Sequence, residues 1–467
     1  MTITQVVRGP LLNPRPSGAV EYFPDGVLAG DERGKIVFAG EWSAVSPRLG
    51  EAVNLARPSA GLILPPMLDA HIHIPQHPIR GGFLAGVSGN PEGGPLLAGL
   101  NKNVFPAEGK CADPAIARQV IKTFRDDTLA HGVVGGAAYM TVHASATREA
   151  LETLGDAWGV GLVMMERNCP EYLRTDDKHF ERDVALLAGD FGRRLIVTDR
   201  FAGAVDSELR QRGAALARQF DLRMQTHLNE QWAEKAWTES LYPEAESYTD
   251  VYRRDGLLER SPLMAHCIRM RPEEFDLFVA ALGTAIVHCP VSNTLLGSGV
   301  MPLDEVIARR IPYAICTDAG ASPTTSLLVE MVQFLRVHQG RSRFATPQEA
   351  VFRTTLAPAE ILGYSDRLGS FDVGKELSLV EVELPEGFQA TTADEAILGG
   401  LLETSPADLR RYEAGGEFDP IMRRLVATGL DVGVELATLT ADMEATARRL
   451  DTKVRRVTLA GRVVFQR

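Results

Sequence analysis

Eight apolar runs of strand length recur between residues 61 and 317, and helix-like segments separate most of them. Alternation of strand and helix is typical of a parallel sheet, and eight such repeats are what a (β/α)8 barrel requires. The sequence therefore predicts an α/β protein built on a TIM-like (β/α)8 barrel. The predicted strands are GLILP (61–65), GVVGGAAYM (132–140), GVGLVMM (159–165), RLIVT (194–198), DLRMQT (221–226), PLMAH (262–266), TAIVHC (284–289) and PYAICT (312–317).

Both ends of the chain show a different pattern, made of short strands and turns. A hairpin signal stands in GVLAGDERGKIVFAG, and the pattern returns in GSFDVGKELSLVEVEL and in the final VRRVTLAGRVVFQR. We predict that the two ends assemble into one small β-sandwich domain. The predicted domains are residues 1–60 as its N-terminal half, 61–365 as the barrel, and 366–467 as the other half with C-terminal helices.

Charge and composition narrow the choice of partners. The formal net charge of −12 argues against nucleic acid or a membrane surface. The N-terminus lacks the apolar core of a signal peptide, and no run approaches the roughly 18 apolar residues of a membrane span. Five cysteines without a C-x-x-C pair indicate free thiols in a reducing compartment. We therefore expect a cytoplasmic protein that acts on a small molecule.

Three stretches place polar residues where an apolar run ends, and together they resemble the rim of one metal site. They are LPPMLDAHIH with His71 and His73, MQTHLNE with His227 and Glu230, and ICTDAG with Asp318. Residues two apart on a strand point the same way, so His71 and His73 can chelate one ion. Imidazole and carboxylate ligands suit zinc, and such donors also accept iron. The carboxyl ends of barrel strands are where such groups converge.

Two carboxylates and one further histidine are candidates for the chemistry. Glu230 follows the fifth strand, where a carboxylate beside metal-bound water can collect and return a proton. Its alternative role is that of a helix-start residue favoured by the helix dipole. Asp318 can bind the ion and accept a proton, although an Asx turn ahead of Gly320 is the alternative interpretation. His266 ends the sixth strand.

The stretch from residue 77 to about residue 110 is rich in Gly, Pro and Asn and is long for a barrel connection. Long loops of this kind are often functional. Because it leaves the first metal strand, we predict that it covers the mouth of the barrel.

The motifs THLNE, AHCIRM and CTDAG, in this order at strand ends, resemble those of the amidohydrolase superfamily and its mononuclear-metal aminohydrolases. Binuclear members carry a carboxylated lysine at the end of strand four, and LIVTDRF (195–201) offers none. The resemblance implies that Glu230 shuttles protons and that His266 holds the attacking water or the tetrahedral intermediate. It further implies one Zn²⁺ per subunit, with iron as the alternative, bound by His71, His73, His227 and Asp318.

Within this superfamily the stretches HIHIPQ, LLAGLNKNVFPAEG, MMERNCPEYLR, DRFAG and CPVSNTLLGSG are similar to those of the guanine deaminase family. The resemblance implies that Gln76, Arg200 and Phe201, beside His227, hold the base. A Gln amide both donates and accepts, an Arg donates to a ring carbonyl, and a Phe stacks on a planar face. The implied reaction is guanine and water to xanthine and ammonia, a step of purine catabolism, and the implied assembly is a homodimer.

Several positions depart from the pattern of that family. They are Gly99 in place of Trp, Asp199 and Gly203 in place of Pro, His288 in place of Phe, and Ser378-Leu379 in place of Ala-Asp. None is a predicted metal ligand, so the departures bear on the substrate more than on the reaction. A pterin, an 8-oxopurine or another aminated heterocycle is the alternative substrate. A catalytically silent binding protein of the same fold is the second alternative.

Overall fold

The computed structural model describes residues 2–87, 94–428 and 434–467, and these form two eight-stranded sheets with helices around them. The strands are β1 (Ile3–Pro14), β2 (Val20–Asp31), β3 (Ile36–Glu41), β4 (Ala56–Pro58), β5 (Leu62–Leu64), β6 (Met67–His73), β7 (Val133–Tyr139), β8 (Trp158–Met164), β9 (Leu195–Asp199), β10 (Arg223–Leu228), β11 (Leu263–His266), β12 (Ala285–His288), β13 (Tyr313–Ile315), β14 (Leu379–Val382), β15 (Val454–Leu459) and β16 (Arg462–Gln466).

The helices that follow and cover the strands vary from single turns to 17 residues. They are α1 (Trp42–Val45), α2 (Gly94–Gly99), α3 (Phe105–Gly109), α4 (Pro114–Ala130), α5 (Ala144–Thr153), α6 (Phe180–Phe191), α7 (Ser207–Gln219), α8 (Trp232–Leu241), α9 (Tyr248–Arg254), α10 (Pro272–Ala280), α11 (Pro290–Leu295), α12 (Leu303–Ala308), α13 (Leu327–His338), α14 (Pro347–Phe352), α15 (Leu356–Leu362), α16 (Ala393–Glu395), α17 (Pro406–Arg410), α18 (Asp419–Ala427) and α19 (Val434–Leu450). No helix of these described segments is both long and apolar enough to cross a membrane.

The strands β6 to β13 lie side by side in sequence order and run parallel, as the predicted (β/α)8 barrel requires. Nearly all of their residues are buried, because helices cover the outer face and side chains fill the interior. The two edge strands meet through the Asp318 amide, which donates to the His71 carbonyl at 2.9 Å. The Thr317 amide likewise donates to Asp69 Oδ1 at 3.2 Å. The barrel prediction is confirmed.

The predicted first strand was assigned to the wrong sheet. Residues 62–64 form β5, which pairs with β1 and β14 in the second sheet and not with the barrel. Pro65 and Pro66 lack the amide hydrogen that a ladder needs, so they end β5 and separate it from β6. The first barrel strand is therefore β6, and His71 and His73 are its own last residues. The other seven predicted strands overlap β7 to β13.

The second sheet is mixed and joins both ends of the chain in the order β16-β15-β14-β5-β1-β2-β3, with β4 also pairing with β1. The prediction of a separate β unit drawn from both ends is thereby confirmed, while the domain limits at residues 60 and 365 stay a prediction. Asp113 caps α4, because its side chain accepts hydrogen bonds from the first amides of the helix. All five cysteines are free thiols, as we expected, and Cys267, Cys289 and Cys316 are buried.

Asp127 of α4 ties together two loops at the mouth of the barrel. Its Oδ2 accepts hydrogen bonds from His77 Nε2 at 2.9 Å and from Thr325 Oγ1 at 3.1 Å. His77 and Arg80 follow β6, and Thr325 follows β13, so one carboxylate links the first and last barrel connections. Burial alone raises the pKa of Asp127, but His77, His131 and Arg80 outweigh it and bring the pKa to about 2.

Replacing Asp127 with Asn is expected to lower the free energy of unfolding by about 2 kcal/mol at neutral pH. The pKa of Asp127 is lower in the folded chain, so its contribution is full above about pH 4 and disappears as the pH falls through about 2. Calorimetric melting of both proteins from pH 7 downward measures the difference, which should shrink only below about pH 4. The control Asp126→Asn, at an exposed neighbour, should melt like the wild type. A difference that does not depend on pH would contradict this assignment.

Candidate active site

Four side chains from three barrel strands converge at the carboxyl end of the barrel. They are His71 and His73 of β6, His227 of β10 and Asp318 just after β13, and their nearest ligand atoms all lie within 4.8 Å of one another. Asp318 Oδ1 is 3.4 Å from His71 Nε2 and 3.3 Å from His73 Nε2. His227 Nε2 is 3.3 Å from His73 Nε2. Residues far apart in the sequence thus form a group that could hold one metal ion.

Neighbouring groups fix the orientation of these side chains. His227 Nδ1 donates to the Arg200 carbonyl at 2.7 Å, which leaves Nε2 of this ring with its lone pair toward the group. Ser292 Oγ donates to Asp318 Oδ2 at 2.6 Å, so Oδ1 is the oxygen that faces the histidines. Supporting contacts of this kind are common around metal ligands because they set the tautomer and the ring orientation.

The charge state of the group suits a divalent cation. Burial lowers the pKa of His73 to about 3 and the pKa of His227 well below its ordinary value, so both rings are neutral at neutral pH. Burial alone raises the pKa of Asp318, but hydrogen bonds with His71 and His73 hold that pKa well below its usual range. A buried carboxylate among neutral imidazoles is costly without a cation, and imidazole with carboxylate is a zinc-type donor set. The residues therefore fit a metal ion.

Glu230 lies in the turn after β10, beside this group. Its Oε1 accepts a hydrogen bond from Ser298 Oγ at 3.0 Å, and its Oε2 is 3.4 Å from His266 Nε2. Burial raises the pKa of Glu230 well above its ordinary value, and the charges of Asp318 and Glu234 add to this rise. A carboxyl in such surroundings can hold a proton at neutral pH and give it up to a nearby base.

His266 ends β11 with a left-handed backbone conformation (φ 71°), which turns its ring into the mouth of the barrel. Asn293 Nδ2 donates to His266 Nδ1 at 2.9 Å, so the ring proton lies on Nε2, the nitrogen that faces Glu230. Burial lowers the pKa of His266 to about 3, and the ring is therefore a neutral hydrogen-bond donor. Asn293 was not predicted from the sequence, although it lies in the CPVSNTLLGSG stretch.

A cavity opens above the four-residue group. Its polar wall includes Gln76, Arg200, Glu230 and His266, and its apolar wall comprises Phe83, Leu96, Leu100, Phe201 and Leu296. Phe83, Leu96 and Leu100 belong to the 77–110 stretch, which contains α2 and α3 and lies over the mouth. Residues 88–93 of that stretch lie outside the described residues. A mixed apolar and polar lining is typical of sites for small molecules.

Two carboxylates of this site were missed by the sequence reasoning. Glu108 of α3 contacts both Gln76 and Arg200 and is 2% exposed. Glu234 lies four residues after Glu230 and lines the same cavity. The spacing of Glu234, four residues or one helical turn after Glu230, could have placed it near the site. For Glu108 the sequence offered only its position in the LLAGLNKNVFPAEG motif.

The structure gives a reason for two departures from the family pattern. A Cβ at Gly99 would lie 2.6 Å from Phe83 Cε1, so the ring of Phe83 occupies the space that a side chain at residue 99 needs. A Cβ at Gly203 would overlap the rings of Trp237 and Phe201. Both glycines thus let aromatic rings close on the cavity wall.

A (β/α)8 barrel with possible metal ligands at its carboxyl end is typical of metal-dependent hydrolases. The amidohydrolase family model matches residues 60–407. The chain belongs to the amidohydrolase family. Among its relatives, guanine deaminase of Escherichia coli (strain K12) is 31% identical over 375 residues, which are 79% of this chain and 83% of that protein. Guanine deaminase of Mus musculus is 29% identical over 397 residues, with 79% of this chain and 84% of that protein covered. The solved structure of E. coli guanine deaminase matches with a TM-score of 0.76 and 26% identity, covering 99% of this chain and 100% of that chain.

Proposed function

We propose that this chain is a metal-dependent aminohydrolase that converts guanine and water to xanthine and ammonia. The observation that carries the proposal is the group of His71, His73, His227 and Asp318, which faces Glu230 across one cavity. The 31% identity with a guanine deaminase supports the choice of substrate. A binding protein without catalysis has no need for a buried carboxyl beside a metal group.

The proposed chemistry depends on three side chains and one ion. Zinc, with iron as the alternative, would lower the pKa of a water molecule and so supply a nucleophile at neutral pH. In the proposal the oxygen of the attacking water forms a bond to the amine-bearing carbon. Glu230 takes one proton of this water and gives it to the ring nitrogen, and Asp318 takes the other, which passes through Glu230 to the departing amine. His266 Nε2 donates a hydrogen bond to the negative charge that develops on the attacking oxygen. The C–N bond to the exocyclic amine breaks, ammonia leaves, and the oxygen stays as the new ring carbonyl.

The base is held by the walls of the cavity. In the proposal Arg200 donates to the ring carbonyl, Gln76 hydrogen-bonds to the neighbouring ring edge, and Phe201 stacks on the ring face. His227 borders the base as well as binding the ion. A homodimer and a role in purine catabolism are further parts of the proposal and rest on the family resemblance. A cytoplasmic location is also part of it and rests on the cysteine pattern and the N-terminal sequence.

Ammonia release from the purified protein with guanine, 8-oxoguanine, isoxanthopterin and cytosine, measured side by side, tests the proposed function. We expect guanine to give the highest kcat/KM. A higher value with the pterin or the oxidised purine would establish one of the alternative substrates. No ammonia from any of the four, with the metal site filled, would instead indicate a silent binding protein.

Replacing Gln76 or Arg200 with Ala is expected to raise KM for guanine by about 10- to 100-fold, since each loses a hydrogen bond in a buried site. Metal content should stay at the wild-type value, because neither residue belongs to the metal group. Steady-state kinetics and elemental analysis on the same preparations measure both quantities. The matched control Gln339→Ala, at a partly buried Gln outside the cavity, should keep the wild-type KM. Loss of the metal from either variant would contradict the assigned roles.

A further inference from the structure

One carboxylate oxygen bridges two of the residues that we place around the base. Gln76 Nε2 donates to Glu108 Oε1 at 3.0 Å, and Arg200 Nη2 lies 3.4 Å from the same oxygen. Gln76 follows β6 and Arg200 follows β9, so Glu108 joins two sides of the cavity. All three side chains are nearly fully buried, and water does not compete for these contacts.

The contacts of Glu108 with Gln76 and Arg200 determine which hydrogen-bonding groups remain free to bind a ligand. The nitrogen of the Gln76 amide faces Glu108 and donates one of its two N–H groups to it, and this orientation leaves Oε1 as an acceptor. Gly320 lies directly against this side chain, because a Cβ there would overlap Gln76 Oε1 and lie 2.8 Å from Gln76 Cβ. Arg200 lines the cavity, and its Nη2 and Nη1 atoms make one contact each, with Glu108 and with His227, so its guanidinium keeps further N–H donors. The wall therefore presents an acceptor at Gln76 and a donor at Arg200.

The charge of Glu108 holds this arrangement. An ionised carboxylate only accepts hydrogen bonds, so turning the Gln76 amide over would set two oxygens against each other. Burial raises the pKa of Glu108, whereas the Arg200 guanidinium and the Gln76 amide both favour the ionised form. An uncompensated oxygen pair in a buried site costs about 1–3 kcal/mol, which is enough to fix one orientation of the amide.

We propose that Glu108 is a positioning residue that sets the hydrogen-bond polarity of the cavity and thereby selects amino-heterocycles with a lactam edge. A lactam edge has a ring N–H next to a ring C=O, which matches an acceptor beside a donor. Guanine carries this edge, whereas 2,6-diaminopurine has the same 2-amino group but the reverse polarity, a bare ring nitrogen beside an amine. This inference rests on the proposed function, which does not itself assign Glu108.

The test compares guanine with 2,6-diaminopurine in the wild type and in Glu108→Gln. We expect the wild type to prefer guanine by at least about 1,000-fold in kcat/KM, since mispaired buried groups reject an analogue strongly. A Gln at residue 108 can donate as well as accept, so the Gln76 amide can turn over. We expect the preference to fall at least about 10-fold, mainly through KM, at unchanged metal content. The matched control Glu381→Gln removes another buried Glu–Arg pair, far from the cavity, and should keep the wild-type preference.

Calorimetric binding of both purines to the metal-loaded proteins separates this inference from the proposed function. A wild-type protein that releases no ammonia from guanine but binds it far better than 2,6-diaminopurine would refute the deaminase proposal. It would still support the proposed hydrogen-bond polarity of the cavity. A wild type that releases ammonia but binds or turns over both purines equally would overturn the role of Glu108, and this comparison needs no variant. An unchanged preference in a folded Glu108→Gln protein would overturn it as well.

Discussion

Glu230→Gln is expected to lower kcat for guanine by about 1,000-fold, the range found when a general acid–base residue is removed. The amide has nearly the same shape and can keep its contact with Ser298, but it cannot take up and release a proton at neutral pH. The pKa of the wild-type carboxyl is raised well above its ordinary value, first by burial, so this residue is prepared to carry a proton between steps. Metal content should not change, because Glu230 is not among the four converging side chains.

Single-turnover kinetics and elemental analysis on the same protein preparation distinguish a carboxylate that transfers protons from one that binds the metal. The control Glu239→Gln makes the same exchange on α8, at a half-buried residue outside the cavity, and should retain wild-type turnover. A near-normal rate in Glu230→Gln would remove this residue from the mechanism. A variant that has lost its metal would instead make Glu230 a ligand.

The convergence of His71, His73, His227 and Asp318 could be anticipated from sequence because the fold leaves little choice. Parallel strands in a barrel deliver their carboxyl ends to one face, so polar residues at the ends of apolar runs meet there. The run lengths and their order sufficed for this conclusion without any knowledge of loop conformation. Seven of the eight predicted barrel strands are correct for the same reason.

The first strand was misplaced because a short apolar run does not reveal which sheet it joins. GLILP has the composition of a barrel strand, yet β5 pairs with strands from both chain ends. The two prolines after it were the only local signal of a break.

The residues that support the site could not be predicted from the sequence, for a different reason. Asn293, Ser298 and Glu108 act from segments outside the strands, and their contacts depend on how those segments pack over the mouth. Spacing along the chain carries no information about such packing, because loop conformation follows from tertiary contacts. The proposed polarity at Gln76, which depends on Glu108, could therefore be inferred only from the folded structure.

The metal group also lies at the junction where the barrel closes. His71 and Asp318 come from the two edge strands, and the Asp318 amide donates to the His71 carbonyl at 2.9 Å. An ion bound by side chains of both strands would cross-link this junction, whereas its removal leaves the Asp318 carboxylate buried without a cation. Loss of the metal should therefore affect stability as well as activity.

Removing the metal with a chelator is expected to abolish ammonia release and to lower the free energy of unfolding by about 4 kcal/mol, the stabilisation given by a ligand at 1,000 times its Kd. Calorimetric melting and turnover, each measured before chelation, after it, and after adding back Zn²⁺ or Fe²⁺, test both effects and identify the ion that restores them. His73→Ala should melt like the chelated wild type and gain nothing from added metal. His143→Ala, at a half-buried histidine outside the group, should respond to metal as the wild type does. Full turnover in protein shown to be free of metal would refute the assignment of all four ligands at once.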